Sequence, residues 1–143
     1  MKLSVDIKIA ILFFLISFFG AIFQSLYIYD SFHWTILQSS IDFMSGKIPY
    51  KEFFVHYGFL HTLINSFGLY LSNNDLLSAM VIASLFFSLG NFILFLMSKK
   101  FLKVQYSIYI PILLFLLHPF ANYPWPNYQF FFLICCSLFF YLN

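Results

Sequence analysis

Arginine does not occur in this sequence, and charge of either sign is scarce. Of 143 residues, 8% are charged and the net charge is +2. Without arginine there is no guanidinium fork to clamp a phosphate through two hydrogen bonds. So small a positive balance also excludes nucleic acid as a partner. Cysteine is nearly as rare. Cys135 and Cys136 are adjacent inside an apolar run, and neighbouring side chains diverge on a helix. They read as packing or lipid-facing residues, not as a disulfide or a metal pair. A Ser/His/Asp set, a glycine loop for phosphate and a CxxC pair are all missing.

What the chain has is apolar surface. Hydrophobic residues make up 62% and aromatic residues 24%, with 23 phenylalanines. Soluble domains run at about 45–50% apolar and about 25% charged. A soluble fold could not hide this much apolar surface, so composition points to a bilayer as solvent.

The runs fall in an order that can be read. Residues 9–28 are apolar apart from Ser17, Gly20, Gln24 and Ser25, about the length needed to cross a hydrocarbon core of roughly 30 Å. A cleaved signal peptide would have a shorter apolar region, about 7–15 residues, and a small-residue cleavage site. Here the run ends in Tyr27, Tyr29 and Asp30, which suits an uncleaved first transmembrane helix with tyrosines at the interface. A second span covers 76–97 and ends in Lys99, Lys100 and Lys103. A third covers 104–121, with Pro111, His118 and Pro119. The turn NYPWPN, with Pro124 and Pro126, leads to a fourth run over 128–143. That run reaches Asn143 without a flanking charge, so the chain is expected to be the N-terminal part of a longer polytopic protein.

Residues 58–72 decide the topology. As a helix they would cover only about 22 Å. They carry a polar stripe, His61, Asn65, Gly68 and Ser72, opposite Leu60, Ile64, Phe67 and Leu71. A short one-faced helix suits an interface better than a crossing. The lysines agree. With Lys2 and Lys8 inside, Lys99, Lys100 and Lys103 also fall inside only if 58–72 does not span. Residues 29–75 then form one large external loop. Within it, 33–45 reads as a second amphipathic helix, with Trp34, Leu37, Ile41 and Met44 on one stripe, Gly46 just past its end and Pro49 preventing continuation.

That loop holds Asp30, His33, Asp42, Lys47, Lys51, Glu52 and His56. A carboxylate directly after a span, as Asp30 is, can have its pKa raised toward that of a general base, or can cap the interface. Lys47 and Lys51 can meet a lipid phosphate as point charges, or be a solvated turn. Glu52 and His56, four residues apart, can pair or orient a metal, and one carboxylate with one histidine is a weak metal signal. His61 and His118 read as packing residues hydrogen-bonded to neighbours.

A first span ending in Asp30, then His33, a helix and the run Gly46, Ile48-Pro49-Tyr50, Lys51-Glu52-Phe53 and Tyr57-Gly58 resembles the start of GT-C type membrane glycosyltransferases. The likeness is to the protein O-mannosyltransferase and aminoarabinose transferase group and covers roughly residues 9–130. It implies an inverting transfer of a sugar from a polyprenyl-phosphate carrier to an acceptor on the external face. By motif position Asp30 would be the catalytic carboxylate and Glu52 the second acidic candidate, activating the acceptor or holding a divalent cation. Lys47, Lys51, His33, His56 and Tyr57 would contact substrate or phosphate. The chain departs from the family at Ser31, where another acid is usual, and at Asn73, Asn74 and Asn127.

The expected fold class is therefore all-α: a polytopic helical membrane protein with about four transmembrane helices and two amphipathic juxtamembrane helices in a large first external loop. Its partners would be the lipid bilayer and a polyprenyl-phosphate-linked sugar. Its place would be the bacterial inner (plasma) membrane, with a cytoplasmic N-terminus. The other reading is a non-catalytic membrane protein, either a fragment of a lipid-linked-glycan flippase or a small scaffold subunit.

Overall fold

The computed structural model describes residues 4–27, 32–72, 76–117 and 126–142, and among them it is helical, with no strand. The helices are α1 (Val5–Tyr27), α2 (Phe32–Met44), α3 (Phe59–Leu71), α4 (Leu76–Phe101), α5 (Val104–Ser107), α6 (Tyr109–Leu117) and α7 (Pro126–Tyr141). The all-α expectation holds, and the two loop helices lie within a residue of where periodicity put them. Two helices are long and apolar enough to cross a membrane, over Val5–Gln24 and Leu77–Phe101. Val104–Leu116 and Asn127–Tyr141 are shorter apolar helices.

Three boundaries differ from the reading of the sequence. α1 begins at Val5, four residues before the expected start. The helix starting at residue 76 continues past 97 to Phe101, so Lys99 and Lys100 lie in its last turn. Cations are favoured there by the unpaired carbonyls of a helix C-terminus. The expected span 104–121 is broken at Ile108 into α5 and α6. Pro111 accounts for the break. It cannot donate to the carbonyl four residues back, so it is best placed in the first turn of a new helix. The end of that run, His118 and most of NYPWPN lie outside the described residues.

Side-chain pairs give the helix directions. Asp6 forms an ion pair with Lys99, Phe13 packs on Phe95, and Asn91 Nδ2 donates to Ser17 Oγ at 3.1 Å. α1 and α4 are thus antiparallel, and the segment joining them leaves and returns at the same end. Ala10, Ser17 and Ala21 are buried along one face of α1, small enough to let the two backbones approach. α7 runs parallel to α4. Phe87 meets Tyr128 and Phe131 near its start, and Lys100 Nζ donates to the Leu142 carbonyl at its end. A Cβ at Gly90 would collide with the Phe131 ring, which makes Gly90 a packing position. Leu114 and Phe115 bring α6 against the same cluster of Ala21, Ala83 and Phe87.

α2 and α3 form an antiparallel hairpin against the first half of α4. The expected stripe on α2 is partly visible: Leu37 is fully buried with Leu69, Ala79 and Met80, and Ile41 and Met44 pack against that group. The polar stripe on α3 exists too, but its partner is protein. α3 buries His61, Thr62, Asn65 and Ser66 and exposes Leu60, Leu63, Phe67 and Leu71. Facing α2, Ser40 Oγ donates to the Thr62 carbonyl at 3.1 Å and Ser66 Oγ to the Ser40 carbonyl at 3.2 Å. The helix is polar inside and apolar outside.

Candidate functional site

The turn joining α2 to α3 carries most of the residues singled out by the resemblance, and its shape follows from them. α2 ends in a Schellman motif: the Gly46 amide donates to the Phe43 carbonyl and the Lys47 amide to the Asp42 carbonyl. Gly46 has φ +86°, where a residue with a Cβ is disfavoured. The usual apolar contact across such a cap is replaced by an ion pair, with Lys47 Nζ 2.6 Å from Asp42 Oδ1. Lys47 is therefore engaged within the hairpin.

Beyond the cap the chain folds tightly. Pro49 sits at the second position of a turn closed by the Lys51 amide on the Ile48 carbonyl, where its fixed φ is an advantage. Tyr50 follows with φ +63°, an arrangement that costs a residue with a side chain roughly 1–2 kcal/mol. Glu52 offsets that cost from both ends. Its amide donates to the Ile48 carbonyl at 2.9 Å, and its Oε2 accepts from the Ile48 amide at 2.6 Å. The Tyr50 amide also donates to the Phe53 carbonyl. Gly58, at φ +87°, then opens α3. Gly46, Ile48, Pro49, Tyr50, Glu52, Phe53 and Gly58 are thus accounted for as parts of one turn.

What the turn presents outward is a different set. Lys51 and His56 are exposed, and His56 lies edge-on to Phe54 with ring centroids 4.9 Å apart. Tyr57 is half-buried and lies edge-on to His61. Asp30 and the side chain of His33 lie outside the described residues. The structure thus places Lys47, Lys51, Glu52, His56 and Tyr57 on one turn, with Glu52 facing its own backbone. Among the described residues no three His, Cys, Asp or Glu side chains come together to hold a metal. With one Glu52 oxygen given to Ile48, the described residues do not fit a divalent cation. Cys135 and Cys136 are free thiols.

One polar centre was not legible beforehand. His61 Nδ1 lies 3.2 Å from Gln129 Oε1 on α7, and Asn65 Nδ2 lies 3.0 Å from His61 Nε2. These contacts fit a neutral imidazole that donates from Nδ1 and accepts at Nε2. Burial holds the His61 pKa below the usual histidine range, while the Gln129 hydrogen bond pulls it the other way. A cavity of about 270 Å³ opens beside the pair, bordered by Tyr57, Phe130 and Leu133. His61 is a packing residue with hydrogen-bonded neighbours, as the sequence reading has it. Gln129 gave no signal beyond being a lone amide in an apolar run.

Comparison with protein-family models, curated proteins and solved structures found no match to this chain. The resemblance rests on the residues quoted for it.

Proposed function

We propose that this chain is an integral membrane protein of the bacterial inner membrane with its N-terminus in the cytoplasm. In this reading α1, α4, the α5–α6 pair and α7 cross the bilayer and residues 28–75 form one external layer. The inside-out hairpin supports it: in water, exposing Leu60, Leu63, Phe67 and Leu71 while burying a histidine, an asparagine and several hydroxyls would be unfavourable on both counts. Beside lipid it is favourable on both.

Within that frame the function the chain serves best is glycosyl transfer from a polyprenyl-phosphate-linked sugar, the chain supplying the first external loop of a GT-C type enzyme. The observation that carries this reading is the antiparallel pairing of α1 and α4, which makes the segment joining them leave and return at one end of the bundle. That segment contains Asp30, Lys51 and His56, with α2 between Asp30 and the turn that carries the other two. Asp30 is the carboxylate proposed to take the acceptor proton as the sugar leaves its phosphate. Glu52 is a positioning residue, because its described contact is the Ile48 amide.

The test is turnover of a synthetic short-chain polyprenyl-phosphate hexose by membranes containing the protein. Asp30→Asn should lose at least ~10²-fold, the scale of removing a general base, with unchanged expression. Glu52→Gln, whose amide oxygen can still accept from Ile48, should keep most of the activity. Full activity in the Asp30 variant would sink the enzymatic reading.

The non-catalytic reading, a scaffold subunit or flippase fragment, has one observation in its favour. Asp42 and Glu52 both spend their described contacts on holding the hairpin together.

A further inference from the structure

α3 runs down α4, and its contacts act as a depth gauge. Leu71, at its end, shares a groove with Leu77 in the first turn of α4. One turn back a Cβ at Gly68 would collide with Ile82, and Leu63 and Ile64 line a cavity with Leu85 and Phe86. His61 then reaches Gln129, next to the Tyr128 ring that packs on Phe87. Ten helical residues cover about 15 Å, half of a hydrocarbon core of about 30 Å. Phe87 lies near the middle of the apolar stretch Leu77–Phe101. In the membrane orientation proposed above, on which this inference rests, residues 28–75 leave and return on the external side. Their hairpin does not stay there. Its turn, 47–57, precedes α3 and borders the same cavity as Gln129 and Leu133 through Tyr57, which puts it close to the bilayer midplane.

Lipid is a poor solvent for what that depth holds. Lys51, Glu52 and His56 are exposed on the turn, and Lys51 has no acidic partner among the described residues, unlike Lys47 and Lys99. A lysine at mid-bilayer is costly unless water or a partner meets it. Irregular backbone at such depth is tolerated only against protein or in a water-filled cavity. α2 favours water. Leu37, packed with Leu69 and Met80, fixes its upper part against α3 and α4. On another side Gln38 and Ser45 are exposed and Asp42 is half-buried. These three stand at i, i+4 and i+7, so they form one polar stripe, and Asp42 carries it on to Lys47 at the turn. α3 exposes Leu60, Leu63, Phe67 and Leu71 instead. The hairpin thus has an apolar outer face on one helix and a polar one on the other.

We propose that the α2–α3 hairpin is re-entrant, and that Gln38, Asp42 and Ser45, with Lys51 and His56 on the turn, wall a water-filled cleft that opens to the external side. The occupant of this surface is water, together with small hydrated solutes. The cleft gives a water-soluble acceptor a path to ionisable groups held half a bilayer deep, while α3 faces the acyl chains.

The test uses the whole chain in phosphatidylcholine nanodiscs, with Cys135→Ser and Cys136→Ser and one nitroxide-labelled cysteine at a time. The labels replace Phe19, Gln38, Lys51, Leu63 or Leu71, and collisions with oxygen and with a water-soluble nickel chelate are measured for each. Phe19 is exposed on α1 between Ser17 and Ala21, at the depth of the turn, and reports on the membrane reading alone. Oxygen should dominate at 19 and 63, with 63 deeper than 71. Nickel collisions at 38 and 51 should exceed those at 19 several-fold. Equal, shallow positions at 63 and 71, with 19 deep, would overturn the re-entrant hairpin and leave the membrane reading standing. Nickel access at 19 would overturn both. A deep 63 with nickel excluded from 38 and 51 would overturn the aqueous cleft and assign the polar face of α2 to a protein partner.

Discussion

The seam between α1 and α4 and the seam inside the α2–α3 hairpin solve the same problem in opposite ways. α1 and α4 meet through small residues and rings, with one polar clasp, Asn91 to Ser17, deep between them. That clasp is incomplete, because Asn91 Oδ1 is buried without a hydrogen-bond partner among the described residues. The hairpin meets through hydroxyls, linked to one another or to backbone carbonyls. The comparison teaches that shape sets the first seam and hydrogen bonding the second. A fit of small residues tolerates one orphaned acceptor, whereas a polar network must close on itself.

Shape should therefore dominate wherever the long helices meet. Gly90→Val places methyl groups where the Phe131 ring already lies, and neither backbone can yield without parting α4 from α7. The expected loss is about 3 kcal/mol, the upper end for overpacking, read as a lower melting midpoint of the detergent-solubilised protein. A midpoint within a degree or two of wild type would mean that the α4–α7 contact is loose, and the contrast between the two seams would lose its first half.

Much of this architecture was legible in the sequence, for physical reasons. Trp34, Leu37, Ile41 and Met44 repeat at helical spacing, and Gly46 with Pro49 marks an end, so α2 could be placed from local rules alone. The lysines at 99, 100 and 103 decided in the sequence whether residues 58–72 cross the bilayer. What could not be read was the environment of each face. A polar stripe looks the same whether it meets water or another helix, and only the partners Ser39, Ser40 and Gln129, distant in sequence, distinguish the two. Glu52 shows the same limit. As an acid in a family-like motif it suggested chemistry, and its reach back to the Ile48 amide depends on a left-handed Tyr50 that no side-chain pattern announces. Where Asp30 stands relative to this turn lies outside the described residues.

The polar seams can be set against each other directly. Ser17→Ala leaves the Asn91 amide with neither end paired, at an expected cost of about 1 kcal/mol, the low end of the range for a buried group stripped of its partner. Ser39→Ala removes only the long 3.4 Å contact to the Thr62 hydroxyl and should cost a few tenths, within the range of interhelical hydrogen bonds in membrane proteins. Thermal midpoints of the two variants in the same detergent give the comparison. If Ser39→Ala were the more damaging, the hairpin would depend on each of its hydroxyls, and the view that a closed network shares its load would fail.

Acid is the gentlest lever, since it touches one group of α3 and a protonated imidazole can still donate to Gln129. His61 is neutral and buried, and its pKa is depressed from the ordinary value of 6.5. In the unfolded or undocked state it titrates near that ordinary value. Between 6.5 and the lowered folded value, the open state holds more protons than the docked one, so stability rises with pH across this window. The contribution of His61 is therefore complete above about pH 6.5 and declines as pH falls below it. Hydrogen exchange of the α3 amides should speed up between pH 7 and pH 5, after correction for intrinsic rates, more than that of the α4 amides. His61→Gln should flatten that difference, because an amide can donate to Gln129 without a titration. A pH dependence that survives His61→Gln unchanged would assign the acid sensitivity to another group and leave the His61–Gln129 pair as packing alone.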